Sequence, residues 1–229
     1  MKQFYLSTLL IIFVFIGLTS CNTKYRFVTR GLPDADSSYI VNKRGERIDA
    51  TKIEVRRNTL TVDGEEMKLD GLTAIKSKKM YFVVNDGRLY FGEIYGKINL
   101  LYTISYTHTY GSGSNPGTTT TTKRYYLQKQ DSEAVDQLTK ATFLEYVGDN
   151  EKALSLAKAH YIWNYTSYVS FGGFIVGGVL LVKALGPDKT FKDYTAPLAL
   201  AGGTFILHGV LTGISNHKLK KSIEVYNKQ

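Results

Sequence analysis

Four histidines, one cysteine and a few Asp-Gly pairs are the residues of this 229-residue chain whose chemistry has to be weighed first. His108, His160, His208 and His217 are not spaced as a metal pair on one helix turn, and no His-Glu-x-x-His occurs. Cys21 is the only cysteine, which excludes an intramolecular disulfide and any one-chain site built from several thiolates. Gly111-Ser112-Gly113-Ser114 is one residue short of a nucleophile elbow. Gly111, Gly113 and Gly117 precede no helix, so they do not form a dinucleotide fingerprint. Gly92 to Lys97 has the wrong spacing for a phosphate loop and no hydroxyl residue after its lysine. Asp63, Asp70 and Asp86 each precede a glycine and read as turn residues. No catalytic residue, metal ligand or cofactor site is assigned, and the expectation is a protein that is not an enzyme.

Cys21 stands in a context of its own. Lys2 is followed by an apolar run from Phe4 to Leu18 and then by Leu18-Thr19-Ser20-Cys21. A basic start, an apolar core and small residues before a cut site describe a secretory signal over residues 1–20. The Leu-Thr-Ser-Cys ending resembles the bacterial lipobox. That resemblance implies a diacylglyceryl group on the Cys21 thiol, cleavage before it, and acylation of the new amine with chains such as palmitate. Acyl chains contribute about 0.8 kcal/mol per buried CH₂, so several of them anchor stably. Asn22, where inner-membrane lipoproteins often carry Asp, implies the outer membrane, and Thr23-Lys24-Tyr25-Arg26 lacks the acidic cluster of surface-exported lipoproteins. The resemblance therefore implies a bacterial cell-envelope protein on the periplasmic side. Long apolar helices, which tend to be retained at the inner membrane, leave outer versus inner open.

Two such apolar stretches lie near the C-terminus, at residues 168–185 and 196–215, each about the ~20 residues a bilayer core requires. They carry Gly172, Gly173, Gly177 and Gly178, then Gly202, Gly203, Gly209 and Gly213. Glycine weakens a water-exposed helix by about 1 kcal/mol, but small residues let helices approach closely in lipid. The pattern predicts a membrane-associated helical hairpin, the glycines packing helix on helix, with self-association through those faces. A buried hairpin of a soluble helical domain is the plainer alternative. A spanning hairpin would leave Lys218, Lys220 and Lys221 opposite to the positive-inside rule, which keeps an interfacial or oligomeric hairpin open.

The rest of the chain positions these elements. Residues 21–38 read as a tether and 39–130 as an antiparallel β domain of about seven strands, a sandwich or open barrel. Asp63-Gly64 and Asn85-Asp86-Gly87, set between alternating runs, predict hairpins. Arg47 to Ile53 reads as one returning strand. Gly96 to Tyr106 is the longest strand and pairs with Lys123 to Gln128 across a low-complexity loop from Thr107 to Thr122. Residues 131–217 read as helices. Ser132 is the expected N-cap of the first, Gly148 its stop, and Asp149 or Asn150 the cap of a second that runs on into the apolar stretch. Tyr161, Trp163, Tyr165 and Tyr168 suit a headgroup layer or a patch packed on the sheet. Residues 218–229 form a basic tail, with Leu219, Ile223 and Tyr226 on one side of an amphipathic helix. The class is α+β.

The strand Gly96-Lys-Ile-Asn-Leu, the strand Tyr125-Tyr-Leu-Gln-Lys, the helix ending before Gly148-Asp-Asn and the terminal Tyr226-Asn227 together resemble an uncharacterised envelope protein family of Bacteroidetes-type bacteria. The resemblance implies that the two strands are neighbours and brings no activity. The net charge of +9 is not gathered on one stripe, so anionic lipid or envelope polymers are expected partners rather than nucleic acid, and solubility alone would also account for it. The resulting expectation is a non-catalytic, lipid-anchored envelope protein with a structural or adaptor role. The alternative is a periplasmic binding module for a lipid or glycan, which needs a concave site on the sheet.

Overall fold

The two Asp-Gly turns set the pattern of the sheet. Asp63 and Gly64 have φ of 50° and 97°, and Asp86 and Gly87 have 49° and 67°. Positive φ at both central residues is what a tight hairpin with the twist of its strands requires. The computed structural model describes residues 28–34, 36–56, 59–109, 118–184 and 190–229. Its strands are β1 (Ser38–Asn42), β2 (Arg47–Asp49), β3 (Ile53–Arg56), β4 (Thr59–Val62), β5 (Glu65–Met67), β6 (Leu72–Ser77), β7 (Met80–Asn85), β8 (Arg88–Ile94), β9 (Ile98–Thr109), β10 (Thr118–Lys129) and β11 (Asp136–Gln137). The helices are α1 (Lys140–Tyr146), α2 (Glu151–Ala184) and α3 (Phe191–Asn227).

Eight strands form an antiparallel sheet in the order β11-β10-β9-β8-β7-β6-β1-β2, and β3-β4-β5 form a second, three-stranded sheet. The architecture is α+β and the large sheet is not closed into a barrel. Register aligns one apolar row across six strands: Ile40, Ile75, Phe82, Phe91, Tyr102 and Tyr125. Phe82 meets Phe91 edge-on at 5.3 Å, and Phe91 stacks on Tyr102 at 5.4 Å. Such cross-strand pairs hold the register as well as the core. At one end of the row, Leu60 and Ile53 from the small sheet pack with Ile40, Ile75 and Phe82. At the other, Phe143 and Val147 of the α1 region, Ala153 and Ala157 of α2, and Leu219 and Ile223 of α3 pack with Ile98, Leu100 and Leu127.

Four sequence expectations are corrected here. Arg47 to Ile53 is not one strand, because the Asp63 carboxylate accepts from Thr51 N and Lys52 N at 2.7–3.3 Å and turns the chain into the small sheet. Ser132 caps no helix: its hydroxyl accepts from Ala134 N in a local turn, and α1 begins later, capped by Thr139 through Thr142 N at 3.2 Å. β9 and β10 extend to Thr109 and from Thr118, into the stretch read as a loop. Threonine is β-branched and well suited to a strand. The tether is shorter than 21–38. Thr29 and Arg30 lie between the diverging ends of β7 and β8, with Thr29 N donating to Lys79 O and Arg30 N to Glu93 O. Gly92 leaves room for them, since a Cβ there would lie 2.8 Å from Tyr81 O and 3.2 Å from Thr29 Oγ1. The buried Lys76 ammonium then donates to the carbonyls of Asp34 and Ser37 and to the Ser37 hydroxyl. Burial lowers its pKa from the usual lysine range.

Other expectations agree with the fold. Asn150 Oδ1 accepts from Ala153 N at 2.9 Å, capping α2, which runs without a break through the first apolar stretch. The C-terminal residues continue α3 as an amphipathic helix, with Leu219 and Ile223 buried in the core. The signal segment, Cys21 and residues 185–189 of the hairpin connection lie outside the described residues. The chain divides into two units: residues 28–161 with Ser215–Gln229, and Ile162–Ile214.

Candidate functional site

Within Ile162–Ile214 the two helices are built inside out relative to a water-soluble pair. Ser167, Ser170 and Gly177 of α2 are buried, as are Ala201 and Leu211 of α3, at intervals of three, seven and ten residues. That spacing places them on one seam. The large apolar side chains face outward: Ile175 is 53% exposed, Val182 67%, Ile206 67% and Val210 54%. Only 17% of the most apolar window of either helix is buried. Both helices are long and apolar enough to cross a membrane, by length and composition. In water each half-exposed Ile or Phe forgoes about 1 kcal/mol of burial, and here the exposed ones are contiguous.

Most side-chain hydroxyls of the seam are satisfied within the hairpin, Thr212 being the exception. Ser167 Oγ donates to Asn164 O at 2.8 Å, Ser170 Oγ to Thr166 O at 3.1 Å, and Thr204 Oγ1 to Leu200 O at 2.6 Å. These bonds stay within one helix, so they need no water. His208 Nδ1 lies 2.8 Å from Ser167 O, which makes it an interhelical contact, and its ring packs on Phe171 at 5.2 Å. Thr212 Oγ1 is buried without a hydrogen-bond partner.

The glycines divide into two groups. A Cβ on Gly177 would lie 2.6 Å from Ala201 N and 2.9 Å from its Cα, and one on Gly173 would lie 2.9 Å from Thr204 Cγ2. These two allow the helices to meet. A Cβ on Gly172, Gly178, Gly203, Gly209 or Gly213 would meet nothing within 4 Å. Gly202 is half-buried. The seam residues sequence reading passed over were Ser167, Ser170, Ala201 and Thr204. Their signal was present as small residues three apart, in phase with Gly173 and Gly177. The aromatic cluster also divides: Tyr161 packs on Phe143 and His160 in the sheet-bearing unit, while Tyr165 and Tyr168 are 72% and 64% exposed.

The sheet-bearing unit also carries a partly buried charged cluster. Glu93 pairs with Lys220 and accepts from the Tyr125 hydroxyl, and its Oε2 has no partner. Burial raises the Tyr102 and Tyr125 pKa values, and the Glu93 charge raises them further. Arg30 and Glu224 form a second ion pair at 3.1 Å. Lys220 is therefore spent inside the fold rather than displayed on a basic tail. Among the described residues no group of three His, Cys, Asp or Glu side chains is gathered for a metal. His160 is held by Ser215, whose carbonyl and hydroxyl lie 2.9 and 2.7 Å from Nδ1. Compared with protein-family models, with curated proteins and with solved structures, the chain matches none.

Proposed function

We propose that this protein is a non-catalytic, lipid-anchored component of a bacterial cell envelope, with a structural or adaptor role. Its helical hairpin lies in a membrane and its sheet-bearing unit folds in water on the periplasmic side. The observation that supports this reading is the inverted hairpin: small, self-satisfied residues inside and bulky apolar residues outside. A soluble helical pair would show the opposite arrangement, because its stability depends on hiding those side chains from water. In lipid the tails solvate the outer face, and close packing of small residues holds the helices together. Acylation of Cys21 adds a second anchor, as the lipobox resemblance implies. Membership of a Bacteroidetes-type envelope family belongs to the same proposal.

The test is alkaline carbonate extraction of a Cys21→Ser variant, followed by protease protection of a tagged chain. The hairpin should hold the variant in the membrane pellet. Recovery of the variant as a soluble monomer would refute the reading. Labelling with a palmitate analogue should mark the native chain and spare the variant.

A further inference from the structure

The face of the large sheet opposite the apolar row carries a groove of about 730 Å³, within the roughly 300–1,000 Å³ usual for small-molecule sites. Its floor is low because Val41, Ala74 and Val83 are aligned across β1, β6 and β7. Its end wall is tall because Tyr39, Tyr81 and Tyr95 cluster there. Tyr81 and Tyr95 meet edge-on at 4.9 Å, and the Arg47 guanidinium stacks on Tyr39 at 4.1 Å. The side wall is an amide relay: Asn99 Nδ2 donates to Gln128 Oε1, and Gln128 Nε2 to Ser132 O, both at 3.1 Å. Asp70, Asp86, Asp131 and Glu133 stand exposed on the rim with Lys43. Among the described residues none of those four carboxylates is in an ion pair.

We infer that this groove binds a short, uncharged oligosaccharide. A sugar ring has an apolar face of C–H groups and an edge of hydroxyls, and the groove offers the complement of each. The tyrosine rings and the Val-Ala-Val floor take the apolar face, while carboxylates and amides accept and donate at the edge. An acidic rim on a chain of net charge +9 disfavours phosphorylated, sulfated or uronic sugars. The polar walls do not suit an acyl chain, which separates this ligand from a lipid. A basic peptide would answer the rim charge alone and leave the tyrosine end wall and the amide relay unused. The inference goes beyond the membrane reading and does not depend on it.

The experiment uses the full chain in a detergent without a sugar headgroup. Mixed neutral tetrasaccharides of glucose and N-acetylglucosamine, an oligogalacturonate and an oligolysine are titrated separately by saturation-transfer NMR. At least one neutral sugar should receive saturation and bind with a measurable Kd, and the oligogalacturonate should not. Asp131→Ala, which removes an acceptor at the hydroxyl edge, should weaken that binding about five-fold, the worth of one hydrogen bond, and Tyr95→Ala, which removes the ring, should weaken it at least as much, each with a cooperative melting curve retained. Gln130→Ala, on the same wall, serves if either variant is misfolded. Saturation of no neutral sugar, or binding of oligolysine in place of sugar, overturns the inference. Carbonate extraction is unaffected by either result.

Discussion

The contact between Gly96 and Asn227 joins the first strand of the longest hairpin to the last helical residue, 131 positions away, and it can be dissected quantitatively. Asn227 Oδ1 accepts from Ile98 N at 2.8 Å and its Nδ2 donates to Ile98 O at 2.9 Å. The side chain thus acts as one more residue of sheet for a fully buried Ile98. It reaches that position only because residue 96 has no side chain: a Cβ would lie 2.4, 2.5 and 3.0 Å from Nδ2, Cγ and Cβ of Asn227. Asn227→Ala removes two hydrogen bonds of about 1 kcal/mol each and leaves Ile98 unsatisfied, so the expected cost is about 2–3 kcal/mol. Gly96→Ala expels the same amide and also strains a backbone held at φ 158°, so it should cost more than Asn227→Ala. The double variant should cost little more than Gly96→Ala alone, because both changes forfeit the same amide contact. The coupling is then about 2 kcal/mol, far above the ~0.5 kcal/mol within which distant sites add. Urea unfolding in mild detergent, followed by tyrosine emission, measures all three. Costs that simply add would refute the proposed geometry.

Four further outcomes follow from the same structure. Gly177→Val forces the α2 and α3 backbones apart at Ala201 and should destabilise the hairpin by about 1–3 kcal/mol. Gly209→Leu and Gly213→Leu meet open space and should leave monomer stability unchanged, so any loss of crosslinked oligomers in them reports association between chains; SDS-resistant melting and crosslinking read the two effects. Asn150→Ala removes the α2 cap and should cost about 1 kcal/mol, read as a lower urea midpoint with unchanged slope, and Asn150→Asp should recover most of it. Tyr81, Tyr102 and Tyr125 are held above the ordinary tyrosine pKa of 10.0 by burial. A raised acid favours its neutral form in the fold, so its contribution is complete below the unfolded pKa near 10 and is lost as pH rises through that value toward the folded pKa. Absorbance at the phenolate band should rise in step with loss of ellipticity above about pH 10, and free titration of all tyrosines with the fold intact would contradict their burial.

What the sequence determined by itself was local and periodic. The Asp-Gly pairs at 63 and 86 make their hairpins because only a few residue types accept positive φ, and that preference needs no distant partner. The pairing of the Gly96 and Tyr125 strands was legible from matched alternation, and the two apolar helices from length and composition alone. Tertiary structure decided everything that required two distant segments to meet. Gly177 and Gly209 read alike in sequence, yet one touches Ala201 and the other touches nothing, because rotation about each helix axis depends on the partner helix. Thr139 displaced Ser132 as the helix cap because Asp136 and Gln137 were drawn into the sheet against Tyr126 and Leu127. The tyrosine-walled groove was invisible for the same reason: its floor and walls come from strands whose adjacency is a property of the sheet order, which no local pattern encodes.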